Sequence, residues 1–257
     1  LRPLAPVSAG ARIVLGAGFF LLFIAFWALL TYGGLVPPLF LASPRQTLLS
    51  GVALFTEYGF LGDVGITIFR VVGGFLIAAA IGVPLGLAMG AFKPVEAFFE
   101  PFISFARYLP ASAFIPLLIL WAGVGEAQKL SVIFIGSFFQ IVIMVAVTAG
   151  ATRMDLVEAA TTLGARRRGV VGRVIVPAAA PQIAETLRLV LGWAWTYVIV
   201  AELIGATSGI GHMIMDSQRL LDTGQMIFGI VTIGVIGLVT DFLFKALNRR
   251  LFPWAAL

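Results

Sequence analysis

Six times along this chain an apolar run reaches the length needed to cross a lipid bilayer. A spanning helix takes about 20 mostly apolar residues. The runs cover approximately Ile13–Tyr32, Ile66–Phe92, Phe105–Ala122, Leu130–Gly150, Ile183–Ile204 and Met226–Leu247. Hydrophobic residues make up 60% of the chain and charged ones only 11%, against about 25% charged in an ordinary soluble domain. A soluble fold could not hide that much apolar surface, so the excess must face lipid. The expected fold class is all-α: a polytopic membrane bundle of about six transmembrane helices in a single domain, residues 1–257. The first run lacks a small-residue cleavage site and is expected to remain as a span rather than be removed as a leader.

A net charge of +5 and a pI near 10.1 raise the question of nucleic acid. The basic residues answer it, because they cluster at the ends of apolar runs, as membrane topology requires. With the N-terminus inside, the cytoplasmic flanks hold Arg2, Arg12, Lys93, Arg153, Arg166, Arg167, Arg168, Arg173, Lys245, Arg249 and Arg250. The outer flanks hold only Arg45, Lys129 and Arg219. This bias predicts a multi-pass protein with both termini cytoplasmic. Cysteine is absent, so no disulfide or Cys-based metal site is available.

Three connections carry information. On the outer side, Ser43 followed by Pro44 reads as a helix cap with proline at the first helical position. Leu48, Leu49, Val52 and Phe55 then fall near one face, predicting an outer interfacial helix over 43–60. The outer stretch from Gly205 to Gly224 is glycine-rich and fairly apolar, as a loop dipping back into the bundle would be. The stretch 151–180 is the main hydrophilic segment and lies inside. Within the second span, Gly82, Gly86 and Gly90 form a small-residue ridge that lets a neighbouring helix approach closely. Pro84 is expected to kink the same helix.

The inner segment gives the strongest signal. Asp155 followed by Glu158 is an Asp version of a capping box. Leu156, Ala159, Ala160 and Leu163 form an apolar face, and Gly164 is a natural helix stop. A short helix should therefore protrude into the cytoplasm, with small residues that allow another surface to come close. The spacing Glu158-Ala159-Ala160, three residues, Gly164, nine residues, Val174, one residue, Val176-Pro177 resembles the EAA coupling loop of ABC importer permeases. The two Val positions are more usually Ile and Leu in that family. Leu109-Pro110, the run Ile115 to Glu126, Ala201-Glu202 beside Gly209 and Gly211, and the ending Arg249 to Trp254 look like the nitrate/sulfonate/taurine/bicarbonate group of such permeases. The family usually has an aromatic where His212 stands.

The resemblance implies a type I ABC importer (MetI-like) permease fold, with 66–250 as the core permease and 13–32 as the first transmembrane helix. It implies a transport subunit rather than an enzyme, carrying a small anion or zwitterion such as nitrate, bicarbonate, taurine or a sulfonate. Two copies, or one copy and a homologue, would form the pathway beside two ATP-binding subunits and a periplasmic or extracellular substrate-binding protein, in the inner membrane. Coupling to the ATPase would fall to Asp155, Glu158, Ala159, Ala160, Leu163, Gly164, Ala165 and Pro177. No phosphate-cradling Gly-x-x-x-x-Gly-Lys motif occurs, so ATP and Mg2+ belong to the partner chain and no cofactor is expected on this one.

Ionisable groups in spans default to functional hypotheses. Arg107, just before Pro110, either steers an anion through the pathway or snorkels to the inner interface. Arg188, Trp195 and Glu202 are seven apart and share a helix face expected to look inward. Glu202 is read first as an acceptor for backbone amides of the outer loop, with substrate contact as the alternative. Gln140 and Tyr197 complete the pathway candidates, and Asp241 is expected to pair with Lys245. Gly209, Gly211 and His212 are outer-loop candidates. His212 is the single histidine and lacks the clustered ligands of a metal site. The competing reading is a secondary transporter driven by an ion gradient, which predicts inverted repeats; none is evident, and it leaves the EAA spacing unexplained. An intramembrane enzyme would need a nucleophile–base pair or a metal cluster.

Overall fold

The computed structural model describes residues 7–255. Arg2, counted above on the cytoplasmic side, lies outside them. Among the described residues the regular elements are all helical. The chain divides into two units, 1–60 with 213–231 and 61–212 with 232–257.

In the first unit, α1 (Ala9–Tyr32) begins where the Ser8 hydroxyl accepts from the Ala11 amide at 3.2 Å. Its apolar side chains are exposed all round, the pattern of a helix whose solvent is lipid. Helix α2 (Pro44–Glu57) starts as expected, with the Ser43 side chain accepting from the Gln46 amide and Pro44 in the first turn. It buries Thr47, Gly51 and Leu54, while Leu48, Leu49, Val52 and Phe55 face outward. The apolar face read from the sequence is thus available to the membrane interface. The hidden face is the one carrying Gly51, against which the Phe228 ring is pressed. Phe55, Phe60 and Phe228 pack as a ring cluster with centroids 5.2–6.0 Å apart.

In the second unit, α3 (Phe60–Ala91) lies against α6 (Glu126–Gly150). A Cβ on Gly82 would sit 3.0 Å from Ile141, on Gly86 2.7 Å from the Val142 carbonyl oxygen, and on Gly90 2.5 Å from that of Ala146. The ridge packs backbone on backbone at Gly86 and Gly90, and against the Ile141 side chain at Gly82. Pro84 lies inside α3 without ending it. Helix α6 also packs along α9 (Val176–Leu203), and Ile133, Ile141, Val190, Ala194, Trp195 and Val198 are at the centre of the core.

Two expectations are corrected. The third span is not one helix over Phe105–Ala122. Helix α4 (Lys93–Ala106) ends before Arg107, a 3-10 turn covers Ala111–Phe114, and α5 (Ile115–Ala122) follows, with an 84° bend between the two arms. Pro110 cannot donate a backbone bond and disfavours the helical conformation at Leu109, so the helix breaks there. The fifth span starts well before Ile183. Helix α8 (Arg167–Val170) and a π turn (Val171–Ile175) lead without interruption into α9. Pro177 has no N–H to give, and the wider π turn absorbs that loss. The basic run of the inner segment is therefore the first turn of a 37-residue helix, and only α7 (Met154–Thr162) and its flanks remain as a loop. Helix α6 starts at Glu126, so Lys129 is in its first turn, 2% exposed, donating to the Gly125 carbonyl at 3.2 Å.

Among the described residues five helices are long and apolar enough to span a membrane, and the bent pair α4–α5 makes a sixth crossing if taken as one. The remaining elements are α10 (Ile210–Arg219) and α11 (Thr223–Leu251).

Candidate functional site

Helix α7 buries none of its residues fully. Val157 and Ala160 turn inward onto a cluster of Ala149, Val170 and Ile175. Leu156, Glu158, Ala159 and Leu163 turn outward, with Leu163 88% exposed. The face is thus split: Ala160 anchors the helix to the bundle, and Ala159 is the small residue left open. The capping box does not form. Arg153 occupies the cap position without a side-chain bond to a helix amide. Asp155 lies in the first turn, where it accepts from the Leu156 amide at 3.0 Å and from the Arg153 guanidinium. A carboxylate there still favours the helix through the N-terminal dipole. The bond from Arg153 holds the Asp155 carboxyl below its ordinary range, so this contribution persists at neutral pH and fades only in acid, as the carboxyl protonates.

The other end is defined by the backbone. Gly164 has φ +83°. Its amide donates to the Thr161 carbonyl and the Ala165 amide to the Ala160 carbonyl, both at 2.9 Å. This is the Schellman arrangement, which ties off the last carbonyls of a helix and favours glycine. Ala165 is half-buried beneath it, and Pro177 enters α9 just after the π turn.

Of the five pathway candidates, Arg107, Gln140 and Tyr197 come together. They line one cavity of ≈ 190 Å³ with Tyr108, Pro110 and Gly136. Arg107 donates to the Tyr108 hydroxyl at 2.8 Å, its guanidinium carbon 4.7 Å from the ring centre. Trp195 and Glu202 do not reach this cavity. Trp195 is 3% exposed in the helix core and donates to the Thr240 hydroxyl at 3.2 Å. Arg188 is half-buried and pairs with Glu185 and with Asp241, which also meets Lys245 at 2.8 Å as expected.

Glu202 is 1% exposed and fully engaged. It accepts from the Gly211 amide at 2.8 Å, the Thr67 hydroxyl at 2.9 Å and Arg70 at 2.8 Å. The amide contact was expected. Arg70 was not: its other guanidinium nitrogens grip Glu126 at 2.6 and 2.7 Å, and it also reaches the Ser208 carbonyl at 2.8 Å. Asp63 accepts from the Gly209 amide at 2.6 Å, and the Thr67 hydroxyl from the Ile210 amide at 3.0 Å. Gly209, at φ +109°, leaves no room for a side chain, since a Cβ would meet the Glu202 carboxylate at 2.5 Å. His212, half-buried, follows in the first turn of α10. The outer turn is therefore fastened to α3, α6 and α9 by buried charge. The available signal was a lone arginine in an apolar span, with Glu126 and Glu202 as acids of opposite sign. Among the described residues no group of three metal-ligating side chains gathers.

Residues 82–253 match the family described as binding-protein-dependent transport system inner membrane component. The chain belongs to this family. An ABC transporter permease of Brucella melitensis, so named, is 38% identical over 230 residues, 89% of this chain and 92% of that protein. The taurine transport system permease TauC of Escherichia coli is 31% identical over 248 residues, 95% and 90% of the two chains. Among solved structures, the MetNI methionine ABC transporter in an inward-facing form matches the fold with a TM-score of 0.69 at 18% identity, covering 76% of this chain and 98% of the other. The permease is accordingly a multi-pass transport component of an ABC importer and not a catalytic subunit, built on an all-α bundle.

Proposed function

We propose that this permease forms, with a second copy or a homologue, the inner-membrane pathway of an ATP-driven importer for a small anion or zwitterion of the taurine, sulfonate, nitrate or bicarbonate kind. Two ATP-binding subunits engage the cytoplasmic side, both chain termini lie on that side, and a binding protein delivers cargo to the outer turn around Gly209, Gly211 and His212. The observation that carries the reading is α7: a short helix held at its base by Val157 and Ala160, closed by Gly164, and presenting Leu156, Glu158, Ala159 and Leu163 outward. Anchored on one face and open on the other, it is suited to transmit force from a docked ATPase into α6 and α9.

The ATPase should co-purify with the permease from membranes, and uptake into proteoliposomes should require ATP. Uptake sustained by an ion gradient without ATP would establish the secondary-transporter reading instead. Within the importer, Glu158→Lys and Gly164→Val should insert normally yet lose most cargo-stimulated ATP hydrolysis. Valine at φ +83° is strained, and a lysine reverses the charge at the open face. Full stimulation in both variants would remove α7 from the coupling role.

A further inference from the structure

A cavity lies at the break between α4 and α5. It is lined jointly by Arg107 and by Gln140 of α6. Helix α6 has 25 residues, about 37 Å at 1.5 Å each, which outreaches a hydrocarbon core of about 30 Å. Gln140 is 14 residues from Glu126 (140 − 126) and 10 from Gly150 (150 − 140), hence near the helix middle and about 15 Å from its cytoplasmic end. Arg107 shares the lining of the cavity with that residue and is itself exposed. Within a membrane span, charge is costly and normally paired.

Among the described residues, Arg107 has no carboxylate partner; its contacts are the hydroxyl and ring of its neighbour Tyr108. The other polar groups of the cavity can donate hydrogen bonds. The Tyr108 hydroxyl accepts from Arg107 and keeps its own proton to give. The Gln140 amide and the Tyr197 hydroxyl make no hydrogen bond within the described residues. The Tyr197 ring is held against the α6 backbone, because a Cβ on Gly136 would sit 2.5 Å from it. One cation and three neutral donors around ≈ 190 Å³ form a receptor for an anion. The space equals about six waters' share of liquid, enough for a cargo of a few heavy atoms and too small for a drug-sized ligand.

We propose that this cavity is an oxyanion-binding site within one permease subunit, in which Arg107, Gln140 and Tyr197 hold the head group of a small anionic cargo at mid-membrane. The proposal rests on the importer reading for its biological meaning and on the cavity for its chemistry. Selectivity for charge then resides in the permease as well as in the binding protein. Sulfonate, nitrate and bicarbonate share the required chemistry.

The test is direct binding to the full chain in nanodiscs, by calorimetric titration with sodium methanesulfonate, nitrate or bicarbonate, and with uncharged dimethyl sulfone as the isosteric control. At least one anion should bind tenfold or more tightly than the sulfone, and the anion that does so identifies the cargo class. Arg107→Gln should abolish the preference and Arg107→Lys should restore part of it. Tyr197→Phe, which keeps the ring against Gly136, should weaken anion binding several-fold. Glu96→Gln, away from this cavity, should leave it unchanged. Absence of anion preference in the unaltered protein, or an unaltered preference in Arg107→Gln, would overturn the site. Neither result depends on ATP-driven uptake, so failure of the importer reading would be seen separately.

Discussion

Arg70 illustrates how far one side chain can reach when it is dry. It is 1% exposed and holds two carboxylates and a carbonyl from three other segments. Removing one partner of a buried pair costs roughly 3–5 kcal/mol, because the survivor is left charged and unpaired. Arg70→Met should therefore lower the thermal stability of the detergent-solubilised permease strongly. Arg153→Ala, at the exposed pair with Asp155, should leave it nearly unchanged, since such pairs contribute little in water. Comparable melting curves for the two variants would mean that the Arg70 network adds nothing to the fold. Within the site, the sequence singled out Glu202 and its glycine partner Gly211 but set Arg70 aside. The acids that answer it lie 56 and 132 residues away along the chain, and no local pattern connects positions so far apart.

At the scale of the elements, the glycine ridge and the proline breaks set how helices meet. Gly86 and Gly90 each face a backbone carbonyl of α6, so a larger side chain must push the helices apart rather than displace a flexible neighbour. Gly86→Val should destabilise the bundle by about 1–3 kcal/mol, the range for overpacking. Gly62→Ala, where a Cβ meets nothing within 4 Å, should be neutral. Equal thermal stability of both variants would contradict close α3–α6 packing. The ridge was readable because its four-residue repeat is itself a local signal. The break at Pro110 and the π turn before Pro177 were readable only as the presence of proline. Which way the chain continues beyond each depends on what it packs against.

Over the whole molecule, charge sets orientation and composition sets the solvent. The positive-inside bias of the flanks predicts that the α7 region and α10 open to opposite sides of the membrane. Because the chain has no cysteine, single substitutions report this cleanly. Thr162→Cys should react with a membrane-impermeant maleimide only in inverted vesicles, and Arg219→Cys only in right-side-out cells or vesicles. Labelling of both from one side would refute the orientation.

The chain's own order of residues was enough to establish a helical membrane protein of about six crossings, the C-terminal end of α1, the start of α2 and the glycine stop of α7. Each depends on residues within a turn or two of one another, or on the total of apolar side chains. Only the tertiary structure decided that α4 and α5 bend by 84°, that Ala160 faces the bundle and Ala159 does not, that Arg70 joins Glu126 to Glu202, and that Arg107 shares a cavity with Gln140 and Tyr197. Those relations form where segments distant in the chain are pressed together in a medium with no water to satisfy a stray charge, so a buried group's partner is chosen by packing, not by its place in the sequence.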